Sequence, residues 1–348
     1  MGVYAKRRKR LLSEAEGKMV VAAKPGNVFY LTDFWGGGTA VVHPDRTVIV
    51  TSPLEVERAE KLGNEVEVVE AKSWAEMPAT VLKQLGRGKT LIDDDVSLRG
   101  AKRLECRPAA YLEARSVKDE VEISRIMKAS AGQDRIFRAL ESEIRPGRTE
   151  WEVAADVMKM ATAEGRTPSG SDSALSPIIM ASGPHGALPH SELSGRRIKR
   201  GEFVVADIFF RYKGYNSDET RTFLVGAGTA QMKQRYQAVL EAQENALERI
   251  TEGTRCCDVN EAAASTLRKH GVERYLNHSI GHGVGIDIHE LPSINRVNKG
   301  ALKANQVVTD EPGVYFRGKY GIRIEDTVLV GTKPRPLTRY AKELVTVG

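Results

Sequence analysis

Acids sit inside apolar strand patterns in the C-terminal half, in two places, each followed by a turn and a second acid-bearing segment. Phe203-Val-Val-Ala-Asp-Ile-Phe-Phe210 reads as a buried strand, apolar and β-branched. Arg211–Asn216 is a turn punctuated by Gly214 and Asn216, and Ser217–Val225 reads as the returning strand. A turn centred between Tyr212 and Lys213 sets Asp207 directly opposite Asp218, with Cβ atoms ~5 Å apart. The second hairpin runs in along Val307-Val-Thr-Asp-Glu311 and back along Gly321–Leu329; a turn centred on Gly318 sets Glu311 opposite Glu325. Acids on strands are usually solvated. Four of them, paired twice in apolar surroundings, demand a cation, because like charges so placed destabilise a bare protein.

An imidazole completes the set. His282 lies in Asn277-His-Ser-Ile-Gly-His-Gly-Val-Gly-Ile-Asp-Ile-His-Glu-Leu-Pro292, between Gly281, Gly283 and Gly285. Those glycines allow either close backbone approach or positive φ. The same stretch supplies His278 and His289. Imidazole beside carboxylates suits Mn, Co, Fe or Zn, whereas carboxylates alone suit Mg or Ca.

Five segments together resemble the creatinase/prolidase/methionine-aminopeptidase superfamily of metallopeptidases, of pita-bread fold. They are Pro189-His190, Asp207 with Gly214–Thr222, Gly281–Glu290, Thr309–Tyr315 and Gly321–Asp326. The resemblance implies that Asp207, Asp218, His282, Glu311 and Glu325 hold a dinuclear centre of Mn, Co or Zn. It also implies that His190, His278, His289, Tyr315 and Arg323 line the active site. One departure is visible: Phe209 stands where the family usually has glycine, putting bulk on the face that carries Asp207.

Two adjoining cations lower the pKa of a shared water enough to make hydroxide at neutral pH, which can attack an amide carbonyl. Glu311 is expected to shuttle the proton, and His190 or His289 to donate to the developing oxyanion. His278, Tyr315 and Arg323 are expected to contact substrate; a salt bridge for Arg323 and core packing for Tyr315 are the plainer roles. Superfamily members with an N-terminal domain and the Pro-His pair mostly cleave before proline, so the expected substrates are short proline-containing peptides. An Xaa-Pro dipeptidase is the leading reading and an Xaa-Pro aminopeptidase the alternative. Ser293 stands where prolidases often place arginine, with Arg296 the nearest cation. That weakens the dipeptidase reading, while the compact N-terminal domain favours it. A methionine aminopeptidase would not need residues 1–115. A metal-free amidinohydrolase or a non-catalytic binding module of this fold would have lost ligands.

The 348 residues suggest two domains. Residues 1–115 read as a small α/β creatinase-like domain, with strands at Met19–Ala23 and Thr47–Thr51 and a turn at Lys24–Asn27. Residues 116–348 read as the pita-bread catalytic domain of a mixed α/β protein. There Ser116 is a candidate cap for a long helix, Ile144-Arg-Pro-Gly-Arg148 breaks it, and Thr149-Glu-Trp-Glu152 is a capping box for the next. Further helices fit 230–252 and 256–270, so helix pairs alternate with acid-bearing hairpins in two similar halves. A hydrophobic content of 41% and a charged content of 28% are ordinary for a soluble protein. No apolar run is long enough to span a membrane, and no apolar stretch follows the basic N-terminus as a signal peptide would require. Three cysteines (Cys106, Cys256, Cys257) fit a reducing cytoplasm. The run Lys6–Arg10 reads as a solvated helix face, and nothing else points to nucleic acid. The resemblance also implies a homodimer.

Overall fold

A computed structural model of the chain describes residues 2–86, 88–94, 98, 104–168 and 176–348. It divides into two compact units, Met1–Arg115 and Ser116–Gly348.

The first unit is built on one sheet. Its strands are β1 (Met19–Ala22), β2 (Gly38–Val42), β3 (Thr47–Thr51), β4 (Glu67–Glu70), β5 (Thr90–Ile92) and β6 (Leu104–Cys106), in the order β4-β3-β2-β1-β5-β6. β1–β2 and β2–β3 pair antiparallel, and the other pairs are parallel. Valines of the central strands bury one face against Met77 and Val81 of a helix at Met77–Gln84. Helix α1 (Val3–Glu14) corrects the reading of the basic run. Arg7 and Arg8 are buried, and their guanidinium groups donate to the carbonyls of Tyr30 and Leu31 at 3.1 and 3.3 Å. Those carbonyls end helix α2 (Pro25–Thr32), so the two cations cap its negative terminus. Lys24–Asn27 is therefore a helix start rather than a turn: Pro25 takes the first position, where its missing N–H costs nothing.

The second unit repeats a plan of two helices followed by a β-ribbon. Helices α3 (Glu120–Glu143) and α4 (Glu150–Ala163) precede β7 (Thr167–Pro168), β8 (Ile178–Ser182), β9 (Phe203–Tyr212) and β10 (Tyr215–Val225). Helices α5 (Ala230–Leu247) and α6 (Cys256–Lys269) precede β11 (Gly281–Gly283), β12 (Glu290–Ile294), β13 (Val307–Asp310), β14 (Gly313–Phe316), β15 (Tyr320–Arg323) and β16 (Asp326–Leu329). Two apolar cores lie in this unit, one mainly around each helix pair, and Phe203 and Leu224 of the first ribbon pack into the second. The capping box at Thr149 and Glu152 forms as read. The long helix is capped not by Ser116 but by Asp119, paired with Glu122 in a second capping box. Ser116 instead closes the preceding helix, Pro108–Ser116.

The first ribbon turns one residue later than expected. Lys213 and Gly214 have φ of 47° and 85°, the two positive values of a tight hairpin turn. Asp207 therefore pairs with Thr220, and Asp218 with Phe209. The slip is two residues in register, so both acids stay on one face as diagonal neighbours rather than direct opposites. The second ribbon has the expected register: Gly313 pairs with Arg323 and Asp310 with Asp326. Between those pairs the ladder opens. Glu311 N–H donates to Ile280 at 2.7 Å, while Glu325 N–H donates to Thr220 of the first ribbon at 3.0 Å. Thr327 Oγ1 also bonds both the N–H and the carbonyl of Asp218, at 3.0 and 2.7 Å. The two ribbons are thus laced together at the acids.

Candidate metal centre and active site

The lacing gathers the acids at one place. Asp218, His282 and Glu325, all buried, each offer a ligand atom, and these atoms lie within 4.8 Å of one another. His282 Nε2 is 3.7 Å from Asp218 Oδ2 and 3.4 Å from Glu311 Oε1. Its Nδ1 donates to the Gly283 carbonyl at 3.0 Å, which leaves the Nε2 lone pair facing the acids. Burial lowers the pKa of His282 to about 3, so the ring is neutral at pH 7. Gly281 and Gly283 owe their place to space. A Cβ on Gly281 would stand 2.1 Å from the Thr309 carbonyl, and one on Gly283 2.2 Å from that of Leu291. Neighbouring backbone makes this demand, and neither glycine has a positive φ.

The acids are held in an unfavourable state. Burial first, then Glu325, Asp207 and Glu311, raise the pKa of Asp218 well above the usual range. Glu325 is raised by burial and then by Glu311 and Asp207. Burial lifts Glu311 to about 7 despite the opposing pull of Arg323. Oδ1 of Asp207 and Oδ1 of Asp218 are buried without a hydrogen-bond partner. Buried oxygens without donors, like charges side by side and a neutral imidazole form a donor set that fits divalent cations with borderline-soft preference.

Around the acids runs a chain of positioned groups. Arg323 donates to Asp207 Oδ2, to Thr220 Oγ1 at 3.0 Å and to the Tyr315 hydroxyl at 2.7 Å. The Tyr315 hydroxyl stands 3.0 Å from His278 Nε2, and His278 Nδ1 donates to the Ser279 carbonyl at 2.7 Å. Burial and Arg323 lower the pKa of His278 to about 4, so its neutral Nε2 accepts from Tyr315. His289 is exposed and packs its ring 4.2 Å from that of His282. His190 is also exposed, and its charge bears on both His278 and His289. Arg296 is exposed, and Ser293 is the cross-strand partner of His282. Phe209, directly opposite Asp218, is buried.

Two threonines were not singled out from sequence. Thr220 Oγ1 donates to Glu325 Oε2 at 2.6 Å, and Thr309 Oγ1 accepts from the His282 N–H at 3.0 Å. Strand alternation was the available signal, since each lies two residues from an acid and on its face.

The profile of Metallopeptidase family M24 matches residues 124–332, and that of the Creatinase/Prolidase N-terminal domain matches residues 6–127. The chain belongs to metallopeptidase family M24. A Xaa-Pro dipeptidase of Pyrococcus furiosus is 35% identical to this M24 chain over 97% of each. A solved Xaa-Pro dipeptidase from Bacillus anthracis superposes with a TM-score of 0.89 at 29% identity, covering 99% of this chain and 100% of that one. An X-Pro aminopeptidase from Thermotoga maritima superposes with a TM-score of 0.88 at 27% identity over 100% of each. The architecture is accordingly a creatinase-like N-terminal domain and an M24 pita-bread domain, as the motifs implied.

Proposed function

We propose that this M24 peptidase hydrolyses the bond before proline at a peptide N-terminus, with Xaa-Pro dipeptides as its main substrates. Asp207, Asp218, His282, Glu311 and Glu325 would hold two divalent cations, Mn, Co or Zn. The observation that carries the reading is the buried cluster of mutually repelling carboxylates around the neutral His282 Nε2, with two carboxylate oxygens lacking donors. When bound, the cations supply Lewis acidity and an activated water at neutral pH. Glu311 Oε1, 3.4 Å from His282 Nε2 within the cluster, is placed to take and return a proton. His190 and His289, exposed beside the cluster, are suited to donate to the oxyanion. Arg323 orients Asp207, and Tyr315 and His278 line the substrate side. Proline suits a specialised site because its amide lacks the N–H that strand-binding peptidases use.

The likeness to the Thermotoga X-Pro aminopeptidase and the serine at position 293 support a second reading, cleavage of longer peptides. A panel of Ala-Pro, Met-Ala and Gly-Pro-Arg with Mn, Co and Zn in turn decides between them. Turnover of Ala-Pro well above Gly-Pro-Arg is expected, with about two metals per chain by mass spectrometry. Preference for the tripeptide would favour the aminopeptidase, and Met-Ala cleavage alone would sink both. The homodimer implied by the resemblance is checked by light scattering.

A further inference from the structure

Glu150 has no part in the site described above, yet it is a completely buried carboxylate with four donors. Its Oε1 accepts from the N–H and the hydroxyl of Ser182, both at 2.8 Å. Its Oε2 accepts from the Ser194 hydroxyl at 2.6 Å and from His185 Nδ1 at 3.1 Å. Helix α4 does not need it as a cap, because Thr149 and Glu152 already fill that role. Removing a carboxylate from water is costly, and only this full set of hydrogen bonds offsets it.

The donors define what Glu150 does. Ser182 ends β8, Ser194 lies twelve residues on, and His185 lies between them in the turn Gly183–Ala187. One carboxylate thus ties both ends of the segment that carries His190. The middle of that segment is seated against β15. A Cβ on Gly321 would stand 1.9 Å from the Gly186 carbonyl, and Arg323 donates to the Pro189 carbonyl at 3.3 Å. His190 follows Pro189 directly, so its place is set by a loop fixed at Glu150 and at Arg323. Its own side chain is exposed and supplies none of that fixing.

We propose that Glu150 is a positioning residue for the active site, clamping residues 182–194 so that His190 stands ready at the reacting carbonyl. The part concerning His190 rests on the function proposed above; the clamp does not. A group that meets only the developing oxyanion affects kcat rather than KM when misplaced. In the metal-loaded enzyme, Glu150→Gln should lower kcat on Ala-Pro about ten- to a hundredfold, with KM and metal content nearly unchanged. Amide hydrogen exchange across residues 183–194 should quicken. In a His190→Ala background the same change should cost less than about twofold, because the two act as one unit. Unchanged kcat and exchange would overturn the clamp, and so would an equal loss in the His190→Ala background. Should Glu150→Gln fold poorly, Ser194→Ala removes the Ser194 bond to Glu150, together with the contacts of its Oγ to His185 Nδ1 and the Arg196 N–H, and must move kcat and exchange in the same directions. Full activity in His190→Ala alone would instead remove the role given to His190, and the exchange rates would still decide the clamp.

Discussion

Arg323 touches Asp207, Thr220, Tyr315 and the Pro189 carbonyl at once, which no reading of its two neighbours in sequence would foretell. The salt bridge expected of it forms with Asp207, a candidate metal ligand. Tyr315 likewise combines burial with a hydroxyl relay from Arg323 to His278. Two predictions belong at this scale. Asp218 has a raised pKa, so its ionisation lowers native stability as pH rises through the folded value. Asp218→Asn should therefore melt no lower than the parent when both are metal-free at pH 7. Its turnover with metal should fall at least about a hundredfold, beyond the usual cost of losing a mere neighbour of a ligand. A lower melting point or near-normal turnover would contradict the site. His278, lowered to about 4, stays neutral while an unfolded histidine protonates near 6.5. The unfolded chain then binds more protons between those values, so this group's contribution to stability is lost as pH falls from about 6.5 to about 4. Imidazole resonances of the metal-free protein should show His278 titrating near 4, well below the 6.5 of an unfolded histidine.

Among the elements, those governed by local chemistry were legible. The Thr149 capping box, the helix break at Ile144–Arg148 and the second hairpin's register all follow from a few adjacent residues. The misread elements were those where two local signals competed. Lys213-Gly214 outcompeted a turn one residue earlier because both central positions take positive φ. Asp119 outcompeted Ser116 because it pairs with Glu122 in a reciprocal box. Pro25 suits a turn and a helix's first position equally, and the carbonyl ends of that helix meet Arg7 and Arg8 from α1. The strand β11 carries its own prediction. Gly281→Ala would drive a methyl into the Thr309 carbonyl, backbone against backbone, and should cost about 1–3 kcal/mol or more. Chemical denaturation measures that loss, and metal affinity should fall with it, since β11 carries His282.

At the scale of the whole molecule, contacts between distant segments decide the site. Lys118 and Glu290, 172 residues apart, form an ion pair at 3.1 Å with side chains 0% and 1% exposed. Glu290 Oε1 also accepts from Asp287 N–H at 3.1 Å, shaping the turn that ends in His289. Lys118→Met should cost about 3–5 kcal/mol, because it removes the cation from a buried ion pair. Adding Glu290→Gln should recover much of that, as denaturation midpoints will show. The proposed cations act at the same scale: chelation should lower the melting temperature by leaving the buried carboxylates to repel one another, and restoring Mn or Zn should raise it in a concentration-dependent way. A melting temperature indifferent to chelation would argue against cations at the acids. Sequence alone marked the candidate ligand residues and the strand faces on which they lie, because side-chain alternation has a period of two and survives a two-residue slip. The tertiary structure alone decided which acids meet. Glu325 leaves its own ladder to bond Thr220 of the other ribbon, and no local pattern can encode a partner more than a hundred residues away.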